Sequence, residues 1–344
     1  MSDEIKEGPP EDLTREQLLG MYRRMRLIRG FENRAKEHFE AGEIAGFLHL
    51  SQGQEAVPVG TCTALRQDDY ITSTHRGHGD VIAKGCDVKY MFAELYGRTT
   101  GYCKGKGGSM HIADFSQGII GATGIVGGSV PTAPGIALSI KMRGTDQVVA
   151  CFFGDGATAG GGFHEALNLS SLWQVPIIFV CQNNLYALSH PWEKTAYKCE
   201  LSYRVSTYNI PAECVDGMDA LAVYRAARKA VDRARAGGGP SFIEAKTYRF
   251  LGHYVGDPGL YMPPEEREAW RKRDAILKLG RQLRAWGCLT EEEDAQIAAD
   301  VDAELEGAIA FAQSSPLPPP EDALTDVYVH FDYLGNPLDE GEQR

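Results

Sequence analysis

The sequence lacks an excess of positive charge, because its 344 residues contain 35 lysines and arginines against 47 aspartates and glutamates. The resulting net charge of −12 argues against a nucleic-acid partner, since a basic surface is the usual footprint of such proteins. The sequence also has no apolar run near the roughly 18 residues that span a bilayer, so no membrane role is predicted. Its 43% hydrophobic content is enough for one large domain or two modest ones.

Targeting and disulfide signals are missing as well. The eight cysteines form no C-x-x-C pair and are predicted to be reduced core thiols. Residues 1–12 are acidic and contain two prolines, with neither a charged-then-apolar signal nor an Arg/Ser-rich transit composition. We therefore expect a flexible N-terminus over residues 1–12 and a cytoplasmic location.

Segments predicted as strands and helices alternate along most of the chain. A capping box at residues 14–17 begins a helix that should run to about residue 40, within an N-terminal helical segment at 13–45. The alternation over residues 46–262 predicts an α/β domain with a doubly wound, mostly parallel sheet. Residues 263–344 are expected to form C-terminal helices, at about 264–286 and 291–313, and an arm or edge strand at 325–333.

The predicted strands and helices of the α/β domain follow from apolar runs and from helical periodicity. Strands are predicted at 70–72, 147–153, 176–181 and 241–246, and helices near 54–64, 89–96, 131–141, 162–173 and 220–236. The segments 101–111 and 121–128 are too rich in glycine for a helix or an interior strand, so they are predicted to be tight loops near a ligand or another backbone.

Two polar motifs follow neighbouring predicted strands. Gly-Asp-Gly at 154–156 ends the first strand and Asn-Asn at 183–184 ends the second, with 26 residues between them. A parallel β-α-β unit brings the carboxyl ends of its strands to one edge of the sheet, so Asp155 and Asn184 should meet. One carboxylate and one amide oxygen beside a glycine-lined helix start suit a Mg²⁺ ion that already carries a diphosphate.

Two other interpretations of these motifs stay open. Gly154-x-Gly156-x-x-x-Gly160 after a strand is close to a dinucleotide-binding fingerprint, which calls for an acidic residue about 20 positions later. The chain has amides at 182–184 instead, which favours binding of a metal and a diphosphate. The structural alternative is an ordinary crossover with a capping aspartate and two turn-forming asparagines.

The order of motifs resembles one known family, the alpha subunits of thiamine-diphosphate-dependent 2-oxo acid and acetoin dehydrogenases. The similarity runs from about residue 16 to 333, and its most specific part is the pairing of Gly-Asp-Gly with Asn-Asn. Further motifs that carry it are Gln-Gly-Gln-Glu at 52–55, Thr-His-Arg-Gly-His-Gly at 74–79, Gly-Lys-Gly-Gly-Ser-Met-His at 105–111, Gly-Ile-Val-Gly at 124–127 and Asp-Gly-Met-Asp at 216–219.

The resemblance implies a fold, an activity and partners. The fold would be the thiamine-diphosphate-binding α/β fold with helical N- and C-terminal extensions. The activity would be cleavage of a 2-oxo acid or acetoin, with transfer of the acyl fragment to the lipoyl group of an acyltransferase. The chain would act only with a beta subunit in a two-alpha, two-beta assembly, because in this family the glutamate that activates the cofactor belongs to the beta chain.

The family also implies roles for individual residues. Metal ligands would be Asp155, Asn184 and the backbone carbonyl of Tyr186. Backbone N–H groups of Gly156 and Ala157 would bind the diphosphate at a helix start, where the helix dipole favours an anion. The remaining cofactor contacts would come from His75, Arg76, Gly124, Val126 and His253.

Two histidines are assigned catalytic roles by the same resemblance. His253 follows the last predicted strand and would face the diphosphate and the reacting centre, and His49 would act as a donor on the substrate side. Because the ordinary histidine pKa is near 6.5, either could act as an acid, a base or a donor. His78 and His111 show no metal-ligand spacing and are predicted to pack within loops.

Departures from the family pattern define the remaining alternatives. Ala159 replaces an asparagine beside the metal loop, Gln182 replaces a charged residue near the diphosphate, and Met262 replaces an arginine in the His253 loop. These changes give some support to a minor alternative, a non-catalytic subunit that organises a complex. A nicotinamide oxidoreductase is a further alternative. The motifs at 74–79 and 111–116 look more like acetoin-type members, so acetoin is the preferred substrate, with pyruvate or a branched-chain 2-oxo acid as the alternative.

Overall fold

The structure is a computed structural model that describes residues 8–326 except 196, 198 and 199. It begins with the predicted capping box. Thr14 Oγ1 accepts a hydrogen bond from the backbone N–H of Gln17, and Gln17 Oε1 accepts one from the N–H of Thr14 at 2.8 Å. Together these bonds satisfy two donors that a helix start would otherwise leave unpaired, and helix α1 runs over Arg15–Glu40 as predicted.

A parallel sheet forms the centre of the described residues. Its strand order is β2-β1-β3-β4-β8-β7, and every neighbouring pair is parallel. A small antiparallel hairpin, β5 with β6, follows β4. The strands are β1 Tyr70–Thr72, β2 Ile119–Gly121, β3 Val149–Gly154, β4 Ile177–Asn183, β5 Tyr186–Ala187, β6 His190–Pro191, β7 Ala212–Asp216 and β8 Ser241–Lys246.

Helices cover both faces of this sheet. Successive residues of β3 point to opposite faces: Ala150 and Phe152 pack in one apolar core, and Cys151 and Phe153 in the other. The doubly wound arrangement is therefore confirmed. The helices after α1 are α2 Ala56–Ala64, α3 His78–Lys84, α4 Val88–Leu95, α5 Ser129–Arg143, α6 Gly161–Trp173, α7 Leu201–Ser206, α8 Ala220–Arg235, α9 Pro264–Arg271, α10 Ala275–Ala285 and α11 Glu291–Ser314.

Several elements differ from the predictions. The single helix expected at 264–286 is two helices, because Asp274 caps α10 by accepting from the N–H groups of Ile276 and Leu277. Helices α3 and α7 and strands β2 and β7 were not predicted, and Gly121 ends a strand instead of lying in a loop. Strand β7 is only partly buried, which explains why its sequence has no apolar run.

The prediction that the cysteines are reduced core thiols is correct for Cys151 and Cys181 in the sheet and wrong for the exposed Cys214. All seven cysteines in the described part of the chain are free, and Cys151 and Cys181 are fully buried. Burial raises the pKa of the Cys151 thiol to about 12. Cys214, however, is exposed on the partly buried strand β7. Cys199 lies outside the described residues, as do residues 1–7 of the predicted flexible N-terminus and the part of the predicted arm beyond Asp326.

None of the helices in the described segments is both long enough and apolar enough to cross a bilayer.

Candidate active site

The two polar motifs meet at the carboxyl edge of the sheet, as predicted. Gly154 of β3 lies in register with Gln182 of β4, and the backbone N–H of Asn184 donates to Asp155 Oδ1 at 3.3 Å. Asp155 is buried and its Oδ2 has no hydrogen-bond partner in the structure. Burial raises the pKa of this carboxyl to about 6. A buried carboxylate oxygen without a partner is costly, so this atom is suited to a cation.

The other two predicted metal ligands lie beside Asp155. Asn184 donates through Nδ2 to Gln54 Oε1 at 3.2 Å, and its Oδ1 accepts from the N–H of Tyr186 at 3.3 Å. The Tyr186 hydroxyl points away and donates to Glu266 at 2.9 Å. The three residues therefore form one cluster of oxygen-bearing groups, the ligand type that Mg²⁺ prefers.

The segment after Asp155 is a short 3-10 turn over Asp155–Ala159, and α6 begins only at Gly161. The predicted helix start at Gly156 is therefore a turn. A Cβ atom at Gly156 would lie 2.9 Å from the Cβ of Ala187, so the close approach of the hairpin requires glycine there. The site thus retains a tight backbone loop beside the partnerless carboxylate, although without the full helix dipole.

This loop has an anchor that sequence reasoning missed. Arg204 donates through Nη2 to the carbonyl of Thr158 at 2.8 Å and through Nη1 to its hydroxyl at 3.3 Å, and that hydroxyl donates to the carbonyl of Asp155 at 2.8 Å. Thr158 is fully buried, whereas Ala159 is exposed. The loop is thus held by contacts one residue before Ala159. No motif in the sequence pairs Thr158 with Arg204, which lies on a different helix.

A cavity of about 340 Å³ opens directly above this loop. Among the described residues that line it, Val126 is included and Gly124 and His49 are not. A Cβ at Gly124 would be 3.4 Å from the ring of His111, so this glycine packs against a second loop. The lining includes the predicted residues His75, Arg76, Asp155, Gly156, Ala157, Asn184, Tyr186 and His253, together with the unpredicted Gln54, Gln182, Ala187 and Leu188.

A buried arginine forms one wall of the cavity. Arg76 donates to the carbonyl of Leu50 at 2.7 Å and to the carbonyl of His253 at 2.8 Å. Burial, together with the nearby charge of Arg249, lowers the pKa of Arg76 to about 9. A guanidinium held in this way offers fixed donors to an anion, and an anion bound in the cavity would offset its buried charge.

The comparisons with known proteins bear on this same arrangement. The model for the family described as "Dehydrogenase E1 component" matches residues 23–321. The chain belongs to this family. The residues found at the site, from Arg76 to His253, all lie inside the matched region, so the family assignment and the cavity concern the same part of the molecule.

Individual relatives of this E1 chain cover nearly its whole length. It is 48% identical over 328 residues to the alpha subunit of acetoin:2,6-dichlorophenolindophenol oxidoreductase from Bacillus subtilis, covering 94% of this chain and 97% of that protein. It is 46% identical over 320 residues to the protein of the same name from Cupriavidus necator, covering 93% and 96%. It is 40% identical over 314 residues to the pyruvate dehydrogenase E1 alpha subunit of Porphyra purpurea, covering 89% and 91%.

These findings confirm the expected family, the α/β fold and the enzyme class. The E1 chain is an oxidoreductase component of the thiamine-diphosphate-dependent type. The site fits that cofactor on structural grounds of its own: a buried partnerless oxygen on Asp155 suits a cation, and Arg76 suits an anion on the same cavity. The dinucleotide interpretation of Gly154-x-Gly156 has no support from the family assignment.

Three histidines of the E1 chain cluster at the mouth of this site. The ring centroids of His49 and His75 are 4.8 Å apart, those of His49 and His253 are 5.0 Å apart, and those of His75 and His253 are 5.6 Å apart. Burial, assisted by the charge of Arg76, lowers the pKa to about 4 for His49, about 2 for His75 and about 3 for His253. All three rings are therefore neutral near pH 7.

The hydrogen-bonding direction of His253 is set by two arginines. Arg76 Nη2 lies 3.1 Å and Arg249 Nη1 lies 3.3 Å from His253 Nδ1. Guanidinium groups only donate, so Nδ1 accepts and the proton of the neutral ring is on Nε2. Nitrogens of the three histidines lie within 4.8 Å of one another, a spacing that could suit a metal, but two guanidinium charges make this corner unfavourable for a cation.

Arg249 is the most important site residue that the sequence analysis missed. It is fully buried and also donates to the carbonyl of Leu188 at 3.0 Å and to the hydroxyl of Tyr261 at 3.3 Å. The available signal was its position three residues after the predicted strand at 241–246 and four before His253.

The loop that carries His253 is held in place despite Met262. Asp257 accepts from the N–H of His253 at 2.6 Å, from the N–H of Gly259 at 2.9 Å and from the hydroxyl of Tyr261 at 2.7 Å. Met262 is buried and packs in an apolar cluster with Tyr248 and Phe250, among others. An arginine is therefore not needed at 262 to order this loop.

Of the two histidines predicted to pack in loops, His111 does so, whereas His78 is the first residue of helix α3. His78 is completely buried, with Nε2 at 2.8 Å from Ser109 Oγ and Nδ1 at 3.4 Å from Glu32 Oε1. His111 Nδ1 lies 3.0 Å from the carbonyl of Gly107 in the glycine-rich loop. Both histidines join segments that surround the site without lining the cavity themselves, within the described residues.

Proposed function

We propose that this chain is the alpha subunit of a thiamine-diphosphate- and Mg²⁺-dependent dehydrogenase that cleaves acetoin and passes the acyl fragment to a lipoyl acceptor. The observation that carries the proposal is the buried Oδ2 of Asp155, which has no partner and lies beside Asn184 under the cavity. The choice of acetoin is supported by the names of the relatives at 48% and 46% identity.

In this proposal the cofactor is held mainly by groups already on the cavity wall. Mg²⁺ would be bound by Asp155, the side-chain oxygen of Asn184 and the carbonyl of Tyr186. Diphosphate oxygens would accept from Arg76 and from the N–H groups of Gly156 and Ala157. The carbonyl of Gly124 and the side chain of Val126 would contact the aminopyrimidine ring. When bound, thiamine diphosphate supplies an electron sink for breaking the carbon–carbon bond beside a carbonyl.

The histidines would act on the substrate as neutral groups. His253 presents an Nε2–H donor, because two arginines occupy its Nδ1, and this donor suits a substrate oxygen that gains negative charge as the bond breaks. His75 and His49 surround the same point and exclude water from it. A neutral ring can also accept a proton, so the cluster can assist transfer of the fragment to its acceptor.

A beta subunit is part of the proposal because the described residues that line the cavity include no second acid. Among the described residues that line the cavity, Asp155 is the one carboxylate, and the metal would occupy it. The loop next to the cavity also exposes apolar side chains, with Ile125 73% and Val126 65% exposed. Exposed apolar groups beside an open site are typical of a partner interface. These features support a site shared in a two-alpha, two-beta assembly, which a lipoyl-bearing acyltransferase would then serve.

A 2-oxo acid is the second candidate substrate. The relative from Porphyra purpurea is named a pyruvate dehydrogenase component and is 40% identical to this chain. A 2-oxo acid carries a carboxylate that acetoin lacks, and Arg76 and Arg249 would attract it. We propose pyruvate or a branched-chain 2-oxo acid as the alternative, and a cytoplasmic location for either.

The decisive experiment uses the chain co-purified with its beta subunit. Binding of thiamine diphosphate with Mg²⁺ is measured by calorimetry, and turnover of acetoin, pyruvate and branched 2-oxo acids is followed with an artificial electron acceptor. Asp155→Ala should abolish detectable Mg²⁺-dependent binding and lower turnover at least 100-fold. The control Asp146→Ala removes an exposed aspartate that pairs with Arg66, and should change neither. Unchanged turnover in Asp155→Ala would refute the catalytic proposal.

A further inference from the structure

We infer that Asp80 and Gln182 are positioning residues that fix which atom of the Asn184 side chain faces the cation. The inference rests on the proposed function only in that it takes Asn184 as a metal ligand. Gln182 is one of the positions where this chain departs from the family pattern, and its partner Asp80 lies 102 residues earlier, at the start of α3.

Four buried side chains form a continuous series of hydrogen bonds that ends at the site. Gln182 Nε2 donates to Asp80 Oδ1 at 2.7 Å, and Gln182 Oε1 accepts from Gln54 Nε2 at 2.9 Å. Gln54 Oε1 in turn accepts from Asn184 Nδ2 at 3.2 Å. All four residues are at most 8% exposed, so water cannot readily replace a missing partner.

Asp80, at the end of the series away from the cavity, decides how the three amides are oriented. An amide can be turned over, so each of the three amides could in principle present oxygen or nitrogen to its neighbour. Asp80 is the exception, because an ionised carboxylate only accepts. Gln182 must therefore turn its NH₂ to Asp80 and its oxygen to Gln54. Gln54 must turn its oxygen to Asn184, and Asn184 is left with its oxygen free for the metal.

Protonation of Asp80 would not reverse the series. Ser73 Oγ lies 2.6 Å from Asp80 Oδ2, on the side away from Gln182. A proton on Oδ2 can be donated to the serine hydroxyl, which leaves Oδ1 to accept from Gln182 as before. Burial is the main cause that raises the pKa of Asp80 to about 7, and the nearby acid Glu32 also raises it. Orientation of Asn184 should therefore be the same across the neutral pH range.

This series matters because the backbone contact of Asn184 does not by itself fix the orientation of its side-chain amide. Its Oδ1 accepts only one backbone N–H, from Tyr186 at 3.3 Å, which is a long bond. If the amide turned over, NH₂ would face the cation, and Mg²⁺ would lose one oxygen ligand. A residue that holds a metal ligand from behind typically changes metal affinity by 10–100-fold when altered.

The test is a charge exchange between the two far residues in the complex with the beta subunit. Asp80→Asn removes the carboxylate that sets the direction, because an amide at position 80 can either accept from Gln182 or donate to it. Asp80→Asn combined with Gln182→Glu restores the direction, because a carboxylate at position 182 only accepts, so Gln54 must turn its NH₂ to position 182 and its oxygen to Asn184. Gln52→Glu is the matched control, because Gln52 is a buried glutamine in the same loop as Gln54 that bonds Asn33 at 2.7 Å and lies outside the series.

The readouts are the Kd for Mg²⁺ at saturating thiamine diphosphate, measured by calorimetry, and the Mg²⁺ concentration for half-maximal turnover. Asp80→Asn should raise both at least 10-fold, with turnover at saturating Mg²⁺ within about 3-fold of the wild type. The double variant should return both values to within about 3-fold, and Gln52→Glu should leave them unchanged. Recovery in the double variant also shows that the single variant is not merely misfolded.

Two results would overturn the inference. One is an Asp80→Asn variant that binds Mg²⁺ as the wild type does. The other is a double variant as impaired as the single one. Failure of the proposed function looks different, since the wild-type complex itself would then show no Mg²⁺-dependent binding of thiamine diphosphate.

Discussion

Arg76 donates to both the backbone carbonyl and the ring nitrogen of His253, at 2.8 Å and 3.1 Å, across 177 residues of sequence. One guanidinium thus fixes the position of the loop and the protonation of its histidine together. Arg249 adds a second donor to the same nitrogen at 3.3 Å. Burial and two positive charges lower the pKa of the ring, so His253, which lines the cavity, is neutral at physiological pH.

Arg249→Gln should give the enzyme a new acidic limb in its pH profile. Burial and the charges of Arg76 and Arg249 keep the pKa of His253 near 3, so the wild type should show no ionisation of this ring between pH 5 and 8. Removing one charge should raise that pKa part of the way toward the ordinary value near 6.5, because burial and Arg76 remain, so turnover should begin to fall at a higher pH than in the wild type. The measurement is kcat/KM against pH for the complex.

The control for this variant is Arg273→Gln, which removes an arginine that stacks on Trp270 at 4.3 Å and pairs with Asp216, away from the cavity. Its profile should match the wild type. An Arg249→Gln profile without any new limb would show that Arg249 does not control His253.

The histidine cluster should make the protein less stable in mild acid. The pKa of His75 is lowered in the folded state, mainly by burial, so below pH 6.5 the unfolded chain binds a proton that the folded chain does not. Stability therefore falls as the pH drops through 6.5 and keeps falling toward the folded pKa. His75→Gln removes this linkage. Between pH 7.5 and 5.5 the wild type should lose about 1 kcal/mol more than the variant, after allowance for partial exposure of the ring.

Urea unfolding at both pH values measures this difference. The buried acids Asp80 and Asp155 act with the opposite sign, because their raised pKa values of about 7 and about 6 make the folded state bind extra protons. They are present in both proteins, so the comparison with His75→Gln cancels them. Equal losses in the two proteins would contradict the prediction.

Glu94→Gln should loosen the glycine-rich loop. The buried carboxylate of Glu94 accepts four backbone N–H groups, from Cys103 at 2.8 Å, Gly105 at 2.9 Å, Gly107 at 2.8 Å and Gly108 at 2.9 Å. An amide would turn NH₂ toward two of these donors, at a cost of about 2–4 kcal/mol in the free energy of unfolding. Trypsin should then cut faster after Lys104 and Lys106.

Glu37→Gln is the comparison for this change. Glu37 is exposed and pairs with Arg34 at 3.3 Å on the surface of α1, so its loss should cost no more than about 0.5 kcal/mol. Trypsin cleavage in the glycine-rich loop should not change. Equal stability of the Glu94 and Glu37 variants would mean that the loop does not depend on the carboxylate.

Arg204→Met should weaken cation binding without removing a ligand. Arg204 holds Thr158, whose hydroxyl donates to the carbonyl of Asp155, so this contact supports the loop that carries the metal aspartate. We expect the Kd for Mg²⁺ to rise about 10-fold because the loop loses its support. Arg228→Met, which removes a surface arginine paired with Asp232, should have no effect on the Kd. If Arg204→Met binds Mg²⁺ with the wild-type Kd, the contact between Arg204 and Thr158 contributes only to packing and not to cation binding.

The strands of the sheet centre could be predicted closely from the sequence. Strand β8 has the predicted bounds, because Ser241–Lys246 is buried along nearly its whole length and has no competing pattern. Strand β7 at the sheet edge was missed because half-buried residues alternate with polar ones there. Burial at the centre leaves a signature in composition, whereas an edge strand depends on pairing with a neighbour that the sequence does not name.

By itself, the sequence determined where Asp155 and Asn184 would meet, because parallel strands bring their carboxyl ends to one edge whatever else surrounds them. Only the tertiary structure decided which atoms those residues present and which charges surround them. Asp80 reaches Gln182 across 102 residues, and Arg76 reaches His253 across 177. Local sequence periodicity carries no record of such contacts, since they arise from the packing of helices and loops over the finished sheet.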